Sequence, residues 1–183
     1  MNIFLLSGYA GSGKSFAATW LQRCLNNSRL AAFADPIKDG VSKEYNIPRA
    51  LCDTQEGKAT VVDEKGTTVR DLLIQYAAEK KLYFNATVFA HSVVCKIREN
   101  PTIESWIIHD WRYPEEYLTL IGCFPEADIY RIRIVRSSVQ SLPIPSEHGL
   151  DDYPFDHTIY NDGTAEELIE AFVDQFGIDF TID

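Results

Sequence analysis

Residues 3–15, IFLLSGYAGSGKS, carry an apolar run into a glycine-rich turn and then a lysine and a hydroxyl, in the spacing G-x-x-x-x-G-K-S. That spacing suits the holding of phosphate. Gly8, Gly11 and Gly13 can take positive φ and let the backbone approach an anion, so that successive N–H groups of Ala10, Gly11, Ser12 and Gly13 turn inward. A helix beginning near Gly13 adds the positive end of its dipole, Lys14 a mobile point charge for the β- and γ-phosphates, and Ser15 a hydroxyl able to hold Mg²⁺. A Gly-Ser-Gly-Lys-Ser string alone could be a flexible turn. The apolar strand before it and the helical pattern after it make it a Walker A phosphate loop.

A phosphate loop holds a donor and leaves the acceptor open. Phosphoryl transfer spreads negative charge over the γ-phosphate and meets more on a phosphate acceptor, so separated arginines near the loop suit it. Arg112 stands two residues after Asp110, Arg136 ends the fourth apolar run and Arg70 begins a helical stretch. Each alone could equally be a solvated surface arginine. Asp110 ends a buried strand and fits an acid that holds a water on Mg²⁺, or a helix N-cap; its shared edge with Lys14 favours the metal role. His109 is left without a task, because transfer between phosphates needs no general base. Residues 137–154 hold three prolines and a glycine without helical period, and a connection of that length reads as a lid that excludes water.

The elements that must position these groups alternate. Ile3–Leu6, Leu30–Ala34, Trp106–Ile108, Ile129–Val135 and Phe155–Tyr160 read as strands. Helical periods cover Ser15–Asn27, with Phe16, Ala17, Trp20, Leu21 and Leu25 on its apolar face, then Ile37–Tyr45, Thr68–Leu82, Phe84–Ile97, Tyr113–Ile121 and Thr164–Phe176. The last helix carries a Thr-x-x-Glu capping box at Thr164 and Glu167. Residues 46–67 read as an irregular, mobile surface segment with little to bury beyond Ile47, Leu51 and Val61-Val62. Strand and helix alternate about five times, the order that builds a parallel sheet covered on both faces, with ligands at the carboxyl ends of its strands. On that edge meet Gly8–Ser15, Asp35, Asp110–Arg112 and Arg136.

Composition bounds the rest. A chain of 183 residues, 45% hydrophobic, supports one well-buried core and reads as a single domain, 1–183. A net charge of −10 and a pI near 4.8 argue against nucleic-acid and anionic-membrane surfaces as partners. Cys24, Cys52, Cys95 and Cys123 are widely spaced and read as free thiols in a reducing cytosol. The N-terminus has no basic leader before the loop, no apolar run approaches a membrane span, and a soluble protein is expected.

Five blocks in order, GYAGSGKS, FADPIKD at 33–39, TVRDLL at 68–73, IIHDWRYPEE at 107–116 and SEHGLDDYPFDHTIYNDGTAEEL at 146–168, resemble the phage-type deoxynucleoside monophosphate kinases. Animal phosphomevalonate kinase is similar through the same blocks. The resemblance implies a three-layer α/β/α P-loop kinase fold with a parallel sheet of about five strands, ATP on Gly8–Ser15, an acceptor-binding segment over about 36–100 and the lid over about 137–154. By matching position Asp35 and Lys38 would border the acceptor pocket, Arg70 and Arg112 would hold its phosphate, and Lys58 would lie on the acceptor side. Arg136 would meet the phosphates from the lid, and Asn161 would lie near the base of ATP. The implied partners are small nucleotides, with a homodimer left open, and the implied location is cytoplasmic, in the host if phage-encoded.

The chain departs from the phage pattern at Ile74, where a glutamine is usual, at Tyr76-Ala77-Ala78-Glu79, and at Trp111 between Asp110 and Arg112. The sequence therefore supports an ATP- and Mg²⁺-dependent kinase for a (deoxy)nucleoside monophosphate. Its rivals are a kinase for a non-nucleotide phosphate such as phosphomevalonate, and a nucleotide-binding regulator that transfers nothing.

Overall fold

The computed structural model describes residues 1–177. In chain order it runs β1 (Asn2–Ser7), α1 (Lys14–Cys24), β2 (Ser28–Ala31), α2 (Asp35–Glu44), a 3-10 turn at Arg49–Cys52, α3 (Gln55–Lys58), α4 (Val69–Tyr83), α5 (Val88–Arg98), β3 (Ser105–Ile108), α6 (Pro114–Cys123), β4 (Asp128–Val135), α7 (Pro145–His148), β5 (His157–Tyr160) and α8 (Ala165–Phe176). Every strand pairing is parallel, and the order across the sheet is β2-β3-β1-β4-β5. The expected α/β fold on a five-stranded parallel sheet is what forms. β1 sits at its centre, and its run of apolar residues without alternation suits a strand covered on both faces.

Two compact units make up the chain, Met1–Ala32 with Val93–Asp183, and Phe33–Ser92. The first holds the sheet. Phe4 and Leu6 of β1, Ile107 of β3, Ile132 and Ile134 of β4 and Ile159 of β5 form one core with Ala17, Ala18, Trp20 and Leu21 of α1 and Leu168 and Phe172 of α8. Fully burying each of the larger side chains contributes about 1.5–3 kcal/mol. By strand alternation Ile3, Leu5, Trp106 and Ile108 point to the opposite face, and they too are buried. Phe16, expected on the apolar face of α1, is instead 46% exposed, because Ala17, Ala18 and Leu21 turn the buried stripe away from it.

The second unit packs α2, the 3-10 turn and α4 around Val41, Ile47, Cys52, Val69 and Leu72. Thr68 caps α4 and Asp71 returns the bond, a complete capping box. Gly40 lies against the Tyr76 ring, where a Cβ would come within 2.2 Å of the ring. Here the structure corrects the reading of 46–67 as irregular. The Thr54 hydroxyl accepts from Gly57 N–H to start α3, and Gly57 fits only without a Cβ, which would lie 2.5 Å from the Leu51 carbonyl oxygen. Short turns of four residues carry too little periodicity to register in a sequence window. Cys52 is buried there, whereas Val61 and Val62, expected inside, are exposed.

Boundaries shift elsewhere by a few residues. The second strand is Ser28–Ala31 in place of Leu30–Ala34, and 137–154, read as lacking helix, contains the turn α7 after Ile144. All four cysteines are free thiols. Among the described residues no helix is long and apolar enough to cross a membrane.

Candidate phosphate-binding site

β1 ends at Ser7 and α1 begins at Lys14, so six residues must reverse the chain at the carboxyl edge of the sheet. Gly8, Gly11 and Gly13 do so at φ of 144°, 85° and 101°. Space as well as φ demands glycine: a Cβ on Gly8 would lie 2.3 Å from the Ile134 carbonyl oxygen, and one on Gly13 would lie 2.2 Å from Asn161 Nδ2. Gly13 is the N-cap of α1, and no side chain caps it. The first N–H groups of α1 are therefore not consumed by a side-chain cap.

Lys14 folds back over the loop, its Nζ donating to the carbonyl oxygens of Gly8 at 2.6 Å and Tyr9 at 2.7 Å. Burial, and after it Arg112, pull its pKa down to about 8 against the opposing influence of Glu147 and Asp110. A charged ammonium is thus held there at a cost that the negative charge of a polyphosphate would offset. Ser12 Oγ is buried with no hydrogen-bond partner, a polar atom inside the loop that a ligand oxygen could satisfy. The donor set fits a nucleoside triphosphate. For Mg²⁺ the fit rests on Ser15, exposed in the first turn of α1, and Asp110, close enough to Lys14 to act on its charge. Among the described residues no group of three or more His, Cys, Asp or Glu forms a metal cage, and Mg²⁺ on one carboxylate, one hydroxyl and phosphate oxygens needs none.

Asp110 and Arg112 flank Trp111, which accounts for the tryptophan between them. Its backbone N–H extends the sheet bonding to the Leu6 carbonyl at 3.2 Å, and its indole N–H donates to the Tyr113 carbonyl at 2.8 Å. The buried ring packs edge-on against Tyr153 and Phe155, with centroids at 5.5 and 5.4 Å. The two charged neighbours therefore stand on an anchored turn.

Two carboxylates from the 137–154 stretch reach the loop. Glu147, its side chain 1% exposed, accepts from Ala10 N–H at 2.8 Å and from Arg112 Nη1 at 2.5 Å. Burial alone would raise its pKa, but the Ala10 N–H and the Arg112 guanidinium outweigh it and hold the carboxyl below the usual range. Asp151 accepts from the Tyr9 hydroxyl at 2.9 Å and from Arg133 Nη2 at 3.0 Å. Arg133 also lies over the Tyr9 ring, 4.9 Å from its centroid.

The remaining expected residues fall in two groups. In the first unit Asn161 is buried and donates to the Ser12 carbonyl at 2.9 Å, so it braces the loop. Arg136, exposed after β4, lines a cavity of about 170 Å³ with Tyr9, Ser12, Arg133, Ser137 and Val139. In the second unit Lys38 pairs with Asp53 at 2.9 Å, and Arg49 bonds Asp35, Asp39 and Asp53 at 3.2, 2.6 and 2.6 Å. Arg70 donates to Gln55 at the start of α3, the short helix that Lys58 ends.

Sequence reasoning missed Glu147, Arg133, Asp151 and Arg49. For Arg133 a signal existed, since alternation along β4 puts it on one face with Arg131, but its pairing with Ser7 depends on a register that only the fold supplies. Glu147 and Asp151 sit in a stretch without period, 137 residues or more from their loop partners.

No protein-family profile and no curated protein matches the chain. Among solved structures it is similar to an APS kinase mutant of Mycobacterium tuberculosis, at 11% identity and a TM-score of 0.46 over 96% of each chain. It is also similar to a sugar kinase from Janibacter sp. in unliganded form, at 14% identity and a TM-score of 0.49 over 97% of this chain and 95% of that one. Likenesses this distant concern the path of the chain and say nothing of its substrate.

Proposed function

We propose that the protein is an ATP- and Mg²⁺-dependent kinase that phosphorylates a (deoxy)nucleoside monophosphate to the diphosphate. The observation that carries the reading is the convergence of a desolvated Lys14, the glycine loop and Arg112 at one end of β1 and β3. A switch that only binds nucleotide needs the loop and the lysine; a second anchored cation beside them suits transfer between two phosphates.

In this reading the loop amides and Lys14 hold the β- and γ-phosphates, and Arg112 and Arg136 neutralise the charge that spreads during transfer. Ser15 and Asp110 would hold Mg²⁺, which supplies further charge neutralisation on the phosphate oxygens. An oxygen of the acceptor phosphate forms a bond to the γ-phosphorus as the bond to the bridging oxygen breaks, and ADP leaves without need of a base. Asp35, Lys38, Lys58 and Arg70 of the second unit are the candidates for acceptor contacts.

A coupled assay of ADP release across the common ribo- and deoxyribonucleoside monophosphates tests this directly. Turnover of one or more is expected, and no turnover of any overturns the nucleotide assignment. A second reading, a kinase for a non-nucleotide phosphate such as phosphomevalonate, draws on α4. Ile74, where the phage pattern has a glutamine, is exposed and has no hydrogen-bonding group for a base, and the amide of the adjacent Gln75 donates to Glu79 at 2.9 Å. Turnover of phosphomevalonate with none of the nucleotides would select it.

A further inference from the structure

A buried carboxylate bonded to a phosphate loop calls for explanation, because the loop exists to receive anions. Glu147 could be a placeholder that phosphate expels or a fixture that stays. Its burial decides. A carboxylate 1% exposed, held by a backbone N–H and a guanidinium, gives up two hydrogen bonds and its packed place if it leaves, and breaking a pair with a buried member is costly.

The geometry at Arg112 shows what the fixture does. Both hydrogen bonds of its guanidinium use Nη1, one to Glu147 Oε1 and one to the Ser146 carbonyl at 2.9 Å. Two N–H groups on that nitrogen satisfy two acceptors, which leaves Nη2 and Nε as an open fork on a side chain still 33% exposed. That fork is the edge which binds a phosphate with two parallel bonds. The same helical turn grips the backbone of Arg112 as well, since Gly149 packs so close to its carbonyl that a Cβ would lie 2.4 Å away. Glu147 Oε2 meanwhile ties this assembly to Ala10 of the loop.

We propose that Glu147 is a positioning residue, which by bonding Ala10 N–H with one oxygen and Arg112 Nη1 with the other fixes the Nη2–Nε fork of Arg112 at a set distance from the phosphate loop. The proposal rests on the kinase reading for its meaning, since a fork held beside the loop is useful to a phosphate in transfer. It identifies a role for the Ser-Glu of residues 146–147 that neither touches the reacting atoms nor serves only to close a lid.

The test is Glu147→Gln. Glutamine keeps an oxygen for Ala10 N–H but turns an NH₂ group toward Arg112, so it breaks one contact at nearly constant shape. Displacing a positioned group by about 1 Å can cost on the order of 100-fold, so a 10- to 100-fold fall in kcat is expected, with the ATP dissociation constant within about threefold of wild type. In an Arg112→Lys background the same change should cost little further, because the fork is already gone. Tighter ATP binding by Glu147→Gln would show that the carboxylate competes with phosphate and would overturn the proposal. A lowered melting temperature with kcat per folded molecule unchanged would overturn it too. If the wild type transfers to no acceptor, the kinase reading fails by itself, and the arginine is then read without turnover. NMR of the guanidinium groups should show restrained Arg112 Nη protons in the wild type that average in Glu147→Gln, and freely averaging wild-type protons would refute the fixture.

Discussion

Two regions of this molecule concentrate charge, and they satisfy it in opposite ways. At the end of β1, Lys14, Arg112 and Glu147 are buried or half-buried and fastened to the loop or to residues 146–147. Around Arg49 the carboxylates are largely in water, between 37% and 68% exposed against 1% for Glu147, although Arg49 itself at 31% is covered about as much as Arg112 at 33%. Solvent and salt screen the second set, and exposed pairs of this kind contribute about 0–1 kcal/mol each. The first region is fastened by hydrogen bonds to groups within the protein itself. In the second, each ion pair is weak enough to be exchanged for the charges of a ligand, which suits residues proposed to meet variable acceptors better than residues that hold a constant triphosphate.

The largest effect should come from removing the cation at the centre of the buried region. Lys14→Ala is expected to lower kcat by on the order of 1,000-fold, comparable to loss of a transition-state donor in other enzymes, and to weaken ATP binding in calorimetry. Lys38→Ala in the second region, where the lysine is 15% exposed but its partner Asp53 is 49% exposed, should act chiefly on the KM for the acceptor. Equal losses from the two would erase the contrast. Next is the backbone of the loop itself. Gly8→Ala puts a Cβ 2.3 Å from the Ile134 carbonyl oxygen at a φ of 144°, and the strained conformation alone costs about 1–3 kcal/mol. Thermal unfolding should show the loss, and an unchanged melting temperature would mean that the loop tolerates a shape other than this one.

A smaller effect follows from the Lys14 ammonium. Its pKa near 8 lies below the ordinary 10.5, so between those values the unfolded chain holds a proton that the ligand-free folded protein lacks. Stability from this group therefore rises as pH climbs through that window. Nucleotide binding runs the other way, because a polyphosphate needs the charged lysine and must recapture the proton. Affinity should fall by up to about tenfold per pH unit above pH 8, measured as the dissociation constant of ADP in the absence of acceptor. A flat profile to pH 10 would mean that the lysine is not desolvated as the fold implies.

What could be read from the sequence follows the same division. The glycine loop was legible because its chemistry is contiguous: strand, turn and helix start lie within residues 3–15, and the glycines stand where positive φ is required. The parallel sheet was legible from the alternation of apolar runs, and the capping box at Thr164 from its fixed local spacing, whereas the box that Thr68 and Asp71 form was not read. Glu147 and Asp151 were not legible, since their partners Ala10 and Tyr9 are far away in the chain and no periodicity links them. Arg49 escaped for a different reason. It sits on a four-residue 3-10 turn inside a stretch with no helical period, and only the packing of that turn beside α2 brings Asp35 and Asp39 within its reach.

Arg49→Ala is the finest test of the contrast, because it removes three exposed ion pairs in one step. Simple addition would suggest a large loss. Three pairs on one guanidinium share one desolvation and one side-chain ordering cost, however; Asp39, 68% exposed, can return to water, and Asp53 keeps its bond to Lys38 at 2.9 Å. The expected loss is therefore about 1 kcal/mol by denaturant unfolding, shrinking further as salt is raised past about 0.5 M. Loss of more than about 3 kcal/mol, insensitive to salt, would place the cluster among buried ion pairs. It would also remove the physical reason for treating its charges as exchangeable with those of a ligand.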